Sequence, residues 1–132
     1  MILTLWLSLG LGMLFASTGG MLAYERMDVY RCAVEFLALS ARVLETIPKG
    51  NAALADQLKR AALSIPLNIA ESSGKTSTAD RKRFCAIARG SAMECSAILD
   101  ACRVLSLVEE DLVEQGKQLL VRIVAMLTKM CR

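Results

Sequence analysis

The sequence predicts an all-α chain: an antiparallel up-down-up-down four-helix bundle with a proline-kinked second helix. Three observations lead there. Apolar residues make up 55% of the chain but aromatic ones only 5%, so the core must be built from Leu, Ala, Ile, Val and Met, which helix packing uses more readily than sheets do. Apolar positions recur in steps of three and four through four separate stretches. Short turn-forming segments join the stretches, as antiparallel neighbours in a bundle require. The 132 residues suit one domain with a substantial core.

The chain opens on an apolar leader. No charged side chain precedes Glu25, and Met1–Ala16 is almost wholly apolar. A secretory signal would carry a basic residue before such a run, and none is present. A membrane anchor needs about 20 apolar residues; the uncharged run reaches that length, with glycines at 10, 12, 19 and 20 that spans tolerate. The third reading places the translation start at Met21 or Met27. Residues 1–22 are therefore set apart from a bundle spanning 24–132.

The first helix is expected over Tyr24–Ile47. Val29, Ala33, Phe36, Ser40, Val43 and Ile47 form its seam, Leu37, Leu39 and Leu44 widen it, and Asp28, Arg31, Glu35 and Arg42 fall outside. So broad an apolar face suggests more than one neighbour. Pro48-Lys49-Gly50 stops the helix and turns the chain.

The second helix, Asn51–Ser72, carries Leu54, Leu58, Ala61/Ala62, Ile65 and Ile69 on one face, with Pro66 inside it. A proline there has no N–H for the Ala62 carbonyl and crowds it, at a cost of roughly 3 kcal/mol. A kink is expected between Ala62 and Pro66, with Ser64 or Asn68 available to the freed carbonyl.

Ser77-x-x-Asp80 reads as a variant capping box opening the third helix. Its seam is Phe84, Ile87/Ala88, Ser91, Cys95, Ile98, Cys102 and Leu105, and the small residues Gly90-Ser91-Ala92 mark a close helix approach. Ser106-Leu107-Val108-Glu109 reads as a second box, with Glu109, Glu110 and Asp111 suited to the positive end of a fourth helix. Leu112, Gly116, Leu119, Ile123, Met126 and Met130 continue the spacing.

Enzymatic constellations are missing. The absence of histidine removes Ser-His-Asp and Cys-His catalysis, histidine-containing zinc sites and Glu-x-x-His di-iron centres. Gly74-Lys75-Thr76 matches only the end of a phosphate-binding loop: Ile69 stands where the first glycine is required. No catalytic residue, metal or cofactor is expected. The five cysteines (Cys32, Cys85, Cys95, Cys102 and Cys131) contain no C-x-x-C pair. They read as buried free thiols of a reducing, cytoplasmic protein, with a membrane-anchored protein as the alternative if residues 1–22 are a real anchor.

The functional signal is charge clustering. From Lys75 to Arg89 lie five cations (Lys75, Arg81, Lys82, Arg83 and Arg89) against Asp80 alone, a local net of +4 in a chain of net +3. Lys59 and Arg60 on the second helix are candidates to extend the patch, and the acids gather instead in Glu109–Glu114. Such a surface can hold a phosphate backbone; it can also be an ordinary solvated helix face. Phe84, the only aromatic among these cations, reads as core, so binding is expected to be backbone-led and salt-sensitive rather than by base stacking.

The run Gln57-Leu58-Lys59-Arg60-Ala61-Ala62-Leu63-Ser64-Ile65-Pro66-Leu67-Asn68-Ile69-Ala70-Glu71, followed by Arg83-Phe84-Cys85-Ala86-Ile87-Ala88-Arg89-Gly90-Ser91-Ala92-Met93-Glu94, resembles a small bacterial four-helix-bundle family. That family includes the proteins encoded in ribosomal-RNA intervening sequences, and it is similar to the accessory variability determinant of diversity-generating retroelements. The matching motif residues are Pro66, Asn68, Glu71 and Glu94. Where the family has a glycine after the glutamate, this chain has Ser72, with Gly74 two positions later. The two glutamates are expected to make buried or half-buried ion pairs with Arg60 or Arg89. The resemblance implies a homo-oligomer, a pentameric barrel, whose repeated basic surface meets RNA and a reverse transcriptase or another protein partner. The alternative is a structural oligomerisation or protein-docking module, membrane-tethered if residues 1–22 form an anchor.

Overall fold

The computed structural model describes residues 20–132, so the readings made for the leader fall almost wholly outside it. A 3-10 turn, Ala23–Arg26, precedes four α-helices: α1 (Asp28–Thr46), α2 (Ala52–Gly74), α3 (Thr78–Val104) and α4 (Glu110–Met130). A second 3-10 turn, Lys49–Asn51, joins α1 to α2, and no strand occurs among the described residues. The chain is all-α.

The helices pack in a cycle, α1 on α2, α2 on α3, α3 on α4 and α4 back on α1, with α2 against α3 the most extensive pairing. Cross-helix bonds show that α2 and α3 run in opposite directions. Ser64 on α2 meets Ser91 on α3 between hydroxyls at 2.8 Å, whereas Ser72, further along α2, bonds to Arg81 near the start of α3. The pair α3 and α4 does the same, from Arg103–Glu110 beside their turn to Arg89–Thr128 at the far end.

The core follows the helical spacing. Phe36, Val43, Leu58, Ile65, Ile69, Leu99, Val113, Leu120, Ile123 and Leu127 are fully enclosed, each large side chain contributing about 1.5–3 kcal/mol by leaving water. Two seams differ from expectation. In α4 the line runs through Val113, Gly116, Leu120, Ile123 and Leu127, leaving Leu112, Met126 and Met130 half-buried. In α3 Leu105 is exposed, because the helix has already ended, and Leu99 and Ala92 take the central places.

Element ends differ too. The first helix begins at Asp28, since Met27 before it is extended and the preceding residues form a separate tight turn. Ser106 does not open α4; it sits at φ 55° and closes α3. The Leu107 N–H reaches the Cys102 carbonyl at 2.9 Å and the Ser106 N–H the Arg103 carbonyl at 3.1 Å, which is the Schellman arrangement of a helix end. Helix α4 starts after Glu109, whose side chain makes no capping bond. Ser77 does cap α3, its hydroxyl accepting from the Asp80 N–H at 3.1 Å.

Helix α2 continues through Pro66 to Gly74. The Asn68 amide serves the Ser64 carbonyl at 2.8 Å and the Ser64 hydroxyl at 2.9 Å, two residues beyond the Ala62 carbonyl that proline deprives of a donor. The small-residue approach between α2 and α3 is real at Ser64, Ser91 and Ala92, but Gly90 faces open space.

Candidate nucleic-acid interface

The candidate site lies at the end of the bundle where α2 finishes, α3 begins and α4 finishes. Ser72, nearly fully buried, donates its hydroxyl to the Arg81 carbonyl at 2.8 Å and lies 3.2 Å from the Cys85 thiol. A glycine at this position has no hydroxyl, so here the departure from the family pattern supplies a bond that ties the end of α2 to the first turns of α3. The cap at Ser77 closes the same corner. The intervening loop is thereby short and fastened at both sides, so that Lys75 on the loop and Arg81, Lys82 and Arg83 in the first turns of α3 belong to one corner.

These four cations are not neutralised internally. Among the described residues every ion pair falls on Arg103 or Lys117, which hold Asp100, Glu110 and Glu114. The acidic group therefore sits at the α3–α4 turn with its counter-charges, about 30 Å along α3 from the basic end. Arg81, Lys82 and Arg83 are exposed. Arg81 leans on the Thr76 carbonyl at 3.4 Å.

Phe84 is half-buried and is not part of the core as expected. The Lys75 ammonium lies 5.1 Å and the Arg83 guanidinium 4.7 Å from its ring centroid, both within cation–π range.

The remaining candidates divide. Arg89 is half-buried and donates its Nε–H to the Thr128 hydroxyl at 2.8 Å, so it fastens α3 to α4. Lys59 and Arg60 are exposed on α2 but lie roughly 20 Å from Lys75 along the helix, too far to share its patch. Glu71 and Glu94 are exposed and make no ion pair with Arg60 or Arg89, contrary to expectation. Helical phase explains the exposure of Glu71, which lies two residues beyond buried Ile69 and so on the opposite side of the helix, and Arg60, at a similar phase, is about 16 Å away along the axis.

Two cations were missed by reading linear clusters. Lys129 and Arg132 are exposed, and the antiparallel run of α4 beside α3 brings them to the basic end. Burial and then the neighbouring Cys85 thiol raise the Cys131 thiol, against the nearby Arg89 charge, and that proximity marks the same level of the bundle. Only the order of α3 and α4 in space reveals this.

No group of side chains among the described residues could hold a metal ion, and no described helix is long and apolar enough to cross a membrane. What the fold and this end define is a small all-α protein with separated charge. The chain belongs to the family described as 23S rRNA-intervening sequence protein, whose model matches residues 25–129. No individual curated protein matches it.

Proposed function

We propose that this chain is a non-enzymatic accessory protein that binds RNA along its phosphate backbone through the basic end of the bundle. The supporting observation is the uneven neutralisation of charge: Asp100, Glu110 and Glu114 are paired within the chain, while Lys75, Arg81, Lys82 and Arg83 have no carboxylate partner. Unpaired cations at one end give a field that attracts a polyanion and contribute counterion release when it binds.

Self-association completes the reading. Leu63, Leu67 and Ile87 are exposed on α2 and α3, and Gly90 beside them leaves open space. Arg60, Glu71 and Glu94, of both signs, are exposed on the same two helices. An apolar strip among mixed charges suits a second copy of the chain, and a closed pentameric ring would repeat the basic end five times. The partners in this reading are further copies of the chain, RNA and, through the assembled ring, a reverse transcriptase or another protein; the setting is cytoplasmic.

The test is light scattering with and without RNA at low and high salt, beside fluorescence-anisotropy titration of a labelled oligouridylate. The expected result is a pentamer-sized particle that gains RNA mass at low salt only. Arg81→Glu, Lys82→Glu and Arg83→Glu combined should abolish the gain and leave the oligomer intact. Unchanged RNA affinity in that variant would sink the nucleic-acid reading and leave a structural oligomerisation module.

A further inference from the structure

We propose that Phe84 is a positioning residue of the RNA site, its ring holding Lys75 and Arg83 as a preassembled cation pair that grips a phosphodiester. This rests on the basic-end reading above and specifies the part of that surface that makes the contact. The two cations lie 5.1 and 4.7 Å from one ring centroid, and are therefore within about 10 Å of each other, little more than the screening length at physiological salt. They repel, and neither forms an ion pair with a carboxylate among the described residues. A phosphate bridging the pair removes that repulsion.

The ring does two things for such a contact. Its negative face draws long, flexible side chains out of free rotation, so less freedom is lost when the anion arrives. It also occupies only one side of each cation, leaving the other donors for phosphate oxygens. The scaffold under it is rigid: Phe84 is one residue from buried Cys85, and Ser72 fastens Arg81 three residues before it. Lys75 is held at the end of α2 by its own N–H on the Ser72 carbonyl at 3.2 Å. A ring already covered by cations is not free to stack on a base, so the partner is read by its backbone.

The experiment is anisotropy titration of the labelled oligouridylate with full-length protein. Phe84→Leu should weaken binding by about threefold to tenfold, the range expected for losing a cation–π clamp. Phe84→Tyr, which keeps the ring, should bind within about twofold of the parent. Should Phe84→Leu fail to fold, Lys75→Gln, Arg83→Gln and the double variant carry the test with the ring in place. Because both cations grip one phosphate, the double loss should be smaller than the product of the single losses. Wild-type affinity in Phe84→Leu, equal losses in Leu and Tyr, or independent effects of Lys75 and Arg83 would each overturn the proposal. In those cases the basic-end reading survives if the Arg81, Lys82 and Arg83 charge reversal still abolishes binding. Loss of no affinity in that variant, or binding to phosphatidylglycerol vesicles but not to RNA, would instead overturn both.

Discussion

At the scale of single residues, two glycines that both lie inside helices have opposite requirements. A Cβ at Gly116 would stand 2.8 Å from Leu99 Cδ1 and 3.2 Å from Leu39 Cδ2, inside the core between α1, α3 and α4. Gly116→Ala should destabilise the protein by about 1–3 kcal/mol through overpacking. A Cβ at Gly90 meets nothing, so Gly90→Ala should stabilise it by roughly 0.5–1 kcal/mol through reduced chain entropy. Urea unfolding of both variants checks the pair.

Glu35 gives a pH-dependent counterpart. By spacing it falls outside the seam of α1, yet it is only 4% exposed; burial raises its carboxyl above the ordinary 4.5, with the nearby Arg122 charge opposing. Below the ordinary value both the folded and unfolded chains hold the proton and no stability is lost. As pH rises from the ordinary value toward the raised folded one, the unfolded chain ionises first and stability falls, levelling off once the folded chain has ionised as well. Glu35→Gln should therefore be more stable than the parent at neutral pH, and the advantage should vanish below the carboxylate range. A difference independent of pH would show that some other property of the side chain is responsible.

At the scale of elements, the ends of the helices depend on features that spacing alone does not display. Ser106-x-x-Glu109 has the form of a capping box, yet Ser106 adopts φ 55° and terminates α3. A left-handed residue with a Cβ is strained, and glycine is not. Ser106→Gly should raise stability by about 0.5–1 kcal/mol after allowing for the greater freedom of glycine in the unfolded chain. Thermal melts of the two proteins would show it, and a lower midpoint for the glycine variant would contradict the strain argument. By contrast Ser77 has the role its sequence predicts, because its hydroxyl satisfies a local N–H and needs no distant partner.

At the scale of the whole molecule, antiparallel α3 and α4 turn a modest net charge into two separated ends. The consequence for the proposed RNA contact is quantitative. Each phosphate neutralised on a single strand contributes a slope of about −0.7 to the logarithm of affinity against the logarithm of salt. With Lys75 and Arg83 sharing one phosphate, contact by Lys75, Arg81, Lys82 and Arg83 neutralises three and corresponds to a slope of about −2 per subunit. Adding Lys129 and Arg132 steepens it, and Lys129→Gln with Arg132→Gln should return it toward the smaller value.

The sequence by itself determined the helical class, the positions of four helices and most of α1 and α2's buried faces, because three- and four-residue spacing is a local property of one helix. It also singled out the run from Lys75 to Arg83, where the cations are neighbours along the chain. Only the tertiary structure decided which acids are neutralised, that Arg89 is a helix tie, and that Glu71 and Glu94 face outward. It alone brought Lys129 and Arg132 to the basic end and set Lys75 and Arg83 on the Phe84 ring. Those outcomes depend on which helix lies beside which and at what phase, and contacts between residues far apart in the chain leave no periodic trace in either stretch.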